Sequence, residues 1–87
     1  MILEFSKAYQ KDFDKLQLNK QARVQACLRT FLINPDTPSL RRHALKGEWL
    51  GYTSISAGGD LRLLYKEKND NITFVFVRVS THSDLFG

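Results

Sequence analysis

The spacing of the apolar residues changes once along this chain of 87 residues, from a helical period to a strand period. In the first part, Tyr9, Phe13 and Leu16 stand at the i, i+4 and i+7 positions that share one face of a helix. Beyond Pro38, the apolar residues are mainly β-branched or aromatic, and they form short runs separated by turn residues. Helices followed by strands predict an α+β fold.

Two helices are predicted before the period changes. The apolar-rich segment Met1–Phe5 predicts a short strand, and Ser6 after it is a suitable N-cap for the first helix. The second helix is expected over about Lys20–Ile33, because the following segment Asn34–Pro38 contains two prolines. The link between the helices is short, so they should form an antiparallel hairpin.

Three strands are predicted in the second part, over Trp49–Ser56, Leu61–Lys66 and Ile72–Val79. The turn residues Gly58–Asp60 and Asn69–Asn71 separate them, so the strands should pair antiparallel as a meander. The last run is apolar on both faces, which is typical of a central strand. The predicted order is β-α-α-β-β-β, with the helical hairpin on one face of a small, twisted, mainly antiparallel sheet and the other face partly open.

The length and charge of the chain limit its class. Residues 1–87 are enough for one domain with a thin core. Thirteen Lys and Arg against nine Asp and Glu give a formal net charge of +4, which favours nucleic acid as a partner, although a generic basic surface explains the charge equally well. No apolar run reaches the ~18 residues of a membrane span. We therefore expect a cytoplasmic protein without a membrane partner, and its one cysteine, Cys27, is expected to be a buried small hydrophobe.

The arginines of the second part are the first candidates for chemistry. Arg78 ends an otherwise apolar strand, where a charge needs a ligand, the sheet edge or a salt bridge to Asp60 or another acid. Arg62 should lie on the open face of the sheet, because the apolar residues beside it should face the helices. The two guanidinium groups would then converge as a phosphate clamp, since guanidinium binds phosphate in a bidentate manner.

His43 and His82 are the only side chains whose ordinary pKa lies near neutrality. A lone histidine is more often structural than catalytic, but these two stand in loops near arginines and an aspartate, which leaves both roles open. They are too few and too poorly spaced for a zinc site, and the chain has no Gly-rich phosphate loop. The residues therefore favour acid/base chemistry without a metal or a cofactor.

Three segments resemble the YafQ branch of the RelE/ParE-like toxin superfamily. His43–Tyr52 resembles the segment in which a histidine precedes Leu-x-Gly-x-Trp-x-Gly-Tyr, and Arg78–Gly87 resembles the closing Arg-x-Gly-[Thr/Ser]-His-x-x-Leu-Phe. Asp60–Tyr65 resembles the middle strand of the family, and the layout is similar over the whole chain. The resemblance implies a RelE-like, microbial RNase-like fold.

The resemblance also implies a function. Such proteins are toxins of type II toxin–antitoxin systems that cleave mRNA on the ribosome and are inactivated by a cognate antitoxin protein. The 2′-hydroxyl of RNA would be the nucleophile of a metal-independent endoribonuclease, with a protein base and acid. The matching catalytic positions are His43, Asp60, Arg78, His82 and Phe86, and the expected substrate-binding residues are Arg62, Lys46 and Arg42.

Several assignments stay open at this point. Ser56 stands where YafQ-like proteins often have a histidine, so the base is either Asp60 or His43, with His82 as the acid. Phe86 stacks on an RNA base or docks on the core. Trp49 and Tyr52 are expected in the core. The alternative function is a ParE-like protein that binds DNA gyrase without catalysis, and a third is a non-catalytic RNA-binding module.

Overall fold

One mixed sheet of five strands forms the frame of the computed structural model, which describes residues 1–87. The strands, numbered along the chain, are β1 (Ile2–Phe5), β2 (His43–Ala44), β3 (Thr53–Ser56), β4 (Leu61–Glu67) and β5 (Thr73–Thr81). Their order in the sheet is β1-β5-β4-β3-β2. β1 runs parallel to β5, and the other three pairs are antiparallel. The predicted α+β fold, the meander and the internal position of the last long strand are therefore confirmed.

Three helices accompany the sheet: α1 (Lys7–Asp14), α2 (Leu18–Ile33) and α3 (His82–Phe86). Ser6 caps α1 as predicted, because its side-chain oxygen accepts a hydrogen bond of 3.0 Å from the Tyr9 N–H. Short 3-10 turns at Pro38–Leu40 and Gly47–Trp49 lead into and out of β2. None of the helices combines the length and the apolar character that a membrane span requires.

Aromatic side chains fill the core between the helices and the sheet. Phe31 of α2 stands at its centre, with ring centroids 5.2 Å from Tyr65, 5.4 Å from Phe74 and 5.7 Å from Phe76. Cys27 is buried in the same cluster, and burial raises the pKa of its thiol to about 11. It is therefore a buried, protonated side chain, as its apolar sequence context predicts.

The structure corrects the predicted start of the second sheet segment. The strand expected from Trp49 begins only at Thr53, because Gly47 and Gly51 adopt positive φ angles of 65° and 95° in a tight turn. Trp49 and Tyr52 pack edge to face on each other, with ring centroids 5.4 Å apart, and both are half-buried outside the core cluster. The expectation that they belong to the core is therefore wrong.

A β-bulge in β5 decides which side chains face away from the helices. One extra residue, Val77, interrupts the register between β4 and β5. Because of it, Phe76 and Val79 both reach the core, although residues three apart on a regular strand point to opposite faces. Arg78 between them points to the other side of the sheet.

The face opposite the helices is called the open face below. Residues directly opposed on neighbouring strands point to the same face. His43, Ser54, Leu64 and Arg78 form one such row across β2, β3, β4 and β5. A second row crosses β3, β4 and β5 at Ser56, Arg62 and Ser80. The open face thus holds three of the charged or polar residues that the sequence marks as candidates, His43, Arg62 and Arg78.

Candidate active site

The β3–β4 turn and the start of α3 meet at one end of the sheet. Leu61 opposes Thr81 at the last pair of β4 and β5, and the His82 N–H donates a hydrogen bond of 2.7 Å to the Asp60 carbonyl oxygen. Thr81 caps α3 by accepting from the Asp84 N–H at 3.2 Å. Asp60 and His82 are therefore neighbours, and both side chains are exposed to solvent.

Phe86 lies one helical turn after His82. Their ring centroids are 4.9 Å apart, with 50° between the ring planes. Phe86 is 37% exposed and does not belong to the core cluster. Its ring lies beside the imidazole of His82 rather than in the core.

Arg62 is anchored to the turn that carries Asp60. Its Nη1 donates to the Ser56 Oγ at 3.2 Å and to the Gly59 carbonyl oxygen at 2.8 Å. The Ser56 hydroxyl also accepts from the Gly58 N–H at 3.1 Å, so it is committed to holding the turn. Nε and Nη2 of Arg62 have no such partner, which leaves part of the guanidinium available to an anion.

Arg78 is held by a carboxylate of α1. Its Nε donates to Asp12 Oδ2 at 2.6 Å, and its Nη2 donates to Asp12 Oδ1 at 3.1 Å. This hydrogen bonding raises the pKa of the Arg78 guanidinium, which stays charged. A salt bridge to an acid was one of the predicted roles of Arg78, and the acid is Asp12 rather than Asp60.

The predicted clamp of two arginines requires correction. Arg62 and Arg78 both belong to the open face, on neighbouring strands. Their partners lie on opposite sides, since Arg62 turns toward the β3–β4 turn and Arg78 turns toward α1. The structure therefore provides two separate cationic positions on one face, each held by its own partner.

The remaining predicted residues lie at the β2 side of the sheet. His43 is exposed on β2, and its Nδ1 lies 2.9 Å from the Arg41 carbonyl oxygen. Two strand spacings, roughly 10 Å, separate β2 from β4. Arg42 forms an ion pair with Asp36 in the preceding loop, and Lys46 is exposed. The structure thus does not bring these three residues to the end of the sheet that holds Asp60 and His82.

Two residues of the helices support the site without having been singled out in the sequence. Asp12 holds Arg78, as described above. Arg23 of α2 donates from Nε to the Ala57 carbonyl oxygen at 3.1 Å and from Nη2 to the Gly58 carbonyl oxygen, so it braces the β3–β4 turn. Both look like ordinary polar residues of an amphipathic helix, and only their contacts with distant segments reveal their role.

Over residues 1–87 the chain matches the family described as "Bacterial toxin of type II toxin-antitoxin system, YafQ". None of the curated protein sequences matches it. Among solved structures it is similar to YafQ from E. coli strain BL21(DE3), with 29% identity, a TM-score of 0.79, and coverage of 98% of this chain and 97% of that one.

Two further structures are similar over nearly their whole length. A copper-bound mutant toxin from Helicobacter pylori has 34% identity and a TM-score of 0.76, with 99% of each chain covered. The E. coli DinJ-YafQ toxin-antitoxin complex matches with 31% identity and a TM-score of 0.70, covering 98% of this chain and 96% of that one. The match of the family over all of residues 1–87, with these structures, shows that the chain belongs to the YafQ family of bacterial type II toxin–antitoxin toxins.

Proposed function

We propose that this toxin is an endoribonuclease that cleaves mRNA, with the ribosome as the place of cleavage and the cytoplasm as its compartment. The observation that carries the proposal is the contact between the Asp60 carbonyl oxygen and the His82 N–H. This backbone contact joins a residue that carries a carboxylate to one that carries an imidazole, at one end of an open sheet face that bears arginines. A base, an acid and cations at a phosphate are what cleavage through the 2′-hydroxyl of RNA needs.

In the proposed reaction, Asp60 and His82 each transfer one proton. Asp60 removes the proton of the 2′-hydroxyl, whose oxygen attacks the adjacent phosphorus atom. The bond from phosphorus to the 5′-oxygen breaks, and protonated His82 gives its proton to that leaving oxygen. The products are a 2′,3′-cyclic phosphate and a 5′-hydroxyl end. We favour Asp60 over His43 as the base because Asp60 adjoins His82, whereas β2 stands two strand spacings from β4.

The cations and the aromatic ring have separate tasks in this proposal. Arg78 stabilises the negative charge that builds up on the phosphorane, and Arg62, held separately at the β3–β4 turn, binds a neighbouring phosphate of the RNA. Phe86 orients the His82 imidazole and stacks on a nucleotide base with its exposed part. Lys46 contacts the RNA backbone near β2, and Arg42 serves there as a weaker contact because Asp36 already binds it.

The proposed regulator is a cognate antitoxin protein that covers the open face. A related YafQ is found with DinJ in the E. coli toxin-antitoxin complex, which supports this assignment. An acidic segment of the antitoxin would compete with phosphate for Arg62 and Arg78. The binding should therefore weaken as salt screens the charged rim.

The chemistry of the RNA ends tests this proposal. The purified toxin is expected to leave 2′,3′-cyclic phosphate or 3′-phosphate ends, and its cleavage rate should be unchanged by EDTA, because the protein side chains supply the base and the acid. The similar toxin from Helicobacter pylori has been solved with copper bound, so metal dependence must be measured directly. Ends with a 3′-hydroxyl, or activity abolished by chelation, would contradict the mechanism.

A further inference from the structure

Asp12 of α1 is the carboxylate that holds Arg78, and it accepts three hydrogen bonds. Its two oxygens accept hydrogen bonds from Arg78 Nε and Nη2, and Oδ2 also accepts from the Val79 N–H at 3.1 Å. Its side chain is only 14% exposed, whereas that of Arg78 is 40% exposed. The carboxylate is thus shielded, while the arginine that it holds still reaches solvent.

The backbone of β5 fixes where the Asp12 carboxylate stands. β1 pairs with β5 only along Thr73–Phe76. Beyond that point, β5 is contacted by Ser6 and by Asp12 of α1. The Ser6 hydroxyl donates to the Val77 carbonyl oxygen at 3.0 Å, and Asp12 accepts from the Val79 N–H. Because a main-chain donor holds it, Asp12 is a fixed anchor rather than one of two mobile ends of a surface ion pair.

The geometry of the pair leaves a defined part of Arg78 unused. Of the five N–H bonds of a guanidinium group, Asp12 takes one on Nε and one on Nη2. The Nη1 and Nη2 end keeps its donors in the planar, forked arrangement that matches two phosphate oxygens. Arg78 belongs to the open face, so this end is available to a ligand on that face.

We propose that Asp12 is a positioning residue: it grips one side of the Arg78 guanidinium so that the Nη1/Nη2 end meets a phosphate of RNA bound on the open face. The inference deepens the proposed function and rests on it. Asp12 does not touch the RNA and acts only through Arg78. Its charge also weakens the local attraction for phosphate, so the proposal requires that the gain from orientation exceeds this loss.

The test compares Asp12→Asn with Asp14→Asn. Both variants remove one negative charge from α1, but Asp14 is exposed and forms no salt bridge. Asp12→Asn keeps an oxygen that accepts from the Val79 N–H. It loses the charged carboxylate that binds both Nε and Nη2 of Arg78. We expect its single-turnover cleavage rate to fall about 10- to 100-fold, as for a misplaced catalytic group, with a smaller change in KM. Asp14→Asn should cleave like the wild type.

A double-mutant cycle distinguishes the positioning role of Asp12 from a role in folding alone. In an Arg78→Gln background, Asp12→Asn should cause no further loss of rate per folded molecule, because Asp12 acts only through Arg78. Asp12→Glu keeps the charge and shifts the carboxylate by one methylene, and it is expected to fold and to cleave about tenfold more slowly. A wild-type rate for folded Asp12→Glu, or for folded Asp12→Asn, would overturn the proposal.

Binding of a DNA oligonucleotide, which lacks the 2′-hydroxyl and is not cleaved, provides a readout that does not depend on catalysis. If only charge mattered, both asparagine variants would bind it more tightly and to the same extent. We expect Asp12→Asn to bind about 3- to 10-fold more weakly than Asp14→Asn, the loss of one oriented charged contact. Equal binding by the two variants refutes the positioning role even if the wild type cleaves RNA. A clear difference with no RNA cleavage by the wild type supports the role and refutes the proposed function.

Discussion

Replacing His82 with alanine is expected to lower the single-turnover rate of RNA cleavage by about 10²- to 10⁴-fold, the usual contribution of a general acid. The rate falls because, without the imidazole, the 5′-oxygen must leave unprotonated. His82 is exposed at the start of α3, and Thr81 provides the helix cap with its own side chain, so the fold should survive. Cleavage rate and thermal unfolding are measured on the same preparation.

His43→Ala is the matched control, because it removes the other exposed histidine of the chain. It should reduce the rate less than His82→Ala and less than Asp60→Asn, since β2 is separated from β4 by roughly 10 Å of sheet. A folded His82→Ala variant that cleaves at the wild-type rate would remove the general acid from the mechanism. A loss at His43 larger than that at Asp60 would transfer the role of base to His43.

Arg78→Gln is expected to lower the cleavage rate by about 10²- to 10³-fold, the range for losing a donor that stabilises transition-state charge. The substitution also leaves Asp12 without its charged partner in a site where only 14% of the carboxylate side chain is exposed. We therefore expect a loss of stability of about 1 kcal/mol, kept small because Arg78 itself is partly solvated. Urea unfolding and single-turnover kinetics measure the two effects separately.

The double variant Asp12→Asn/Arg78→Gln separates these two effects. Removing the unpaired carboxylate should restore most of the lost stability, because no unpaired charge then remains in this largely shielded position. The cleavage rate should remain as low as in Arg78→Gln. If the double variant regains both stability and activity, Arg78 serves only to close a structural ion pair with Asp12.

The order of β1, α1, α2, β3, β4 and β5 was predictable because each depends on local patterns. The two-residue strand β2 and the short helix α3 were not predicted, and they carry His43 and His82, which were expected in loops. Ser6 caps α1, the apolar period runs through α2, and Gly58–Asp60 makes the turn of the meander. Both faces of β5 are apolar for two reasons, and the sequence pattern alone does not distinguish them. β5 lies inside the sheet, and the bulge at Val77 brings side chains to the core that a regular strand would send to the open face.

The neighbourhood of Arg78 was not predictable from local patterns. Its partner Asp12 is 66 positions away in the sequence and sits on a helix that looks polar on that side. Strand alternation places Arg62 and Arg78 on one face, but it says nothing of the direction that two long side chains take. That direction depends on Asp12 and on the carbonyl oxygens of the β3–β4 turn, which only the folded chain brings into reach.

Mapping mRNA ends after the purified toxin is added to translating ribosomes distinguishes mRNA cleavage from the inhibition of gyrase. We expect new internal mRNA ends with the wild type and few with His82→Ala, while supercoiling by DNA gyrase continues in both cases. Intact mRNA together with inhibited gyrase would refute mRNA cleavage and would assign the chain the ParE-like, non-catalytic function.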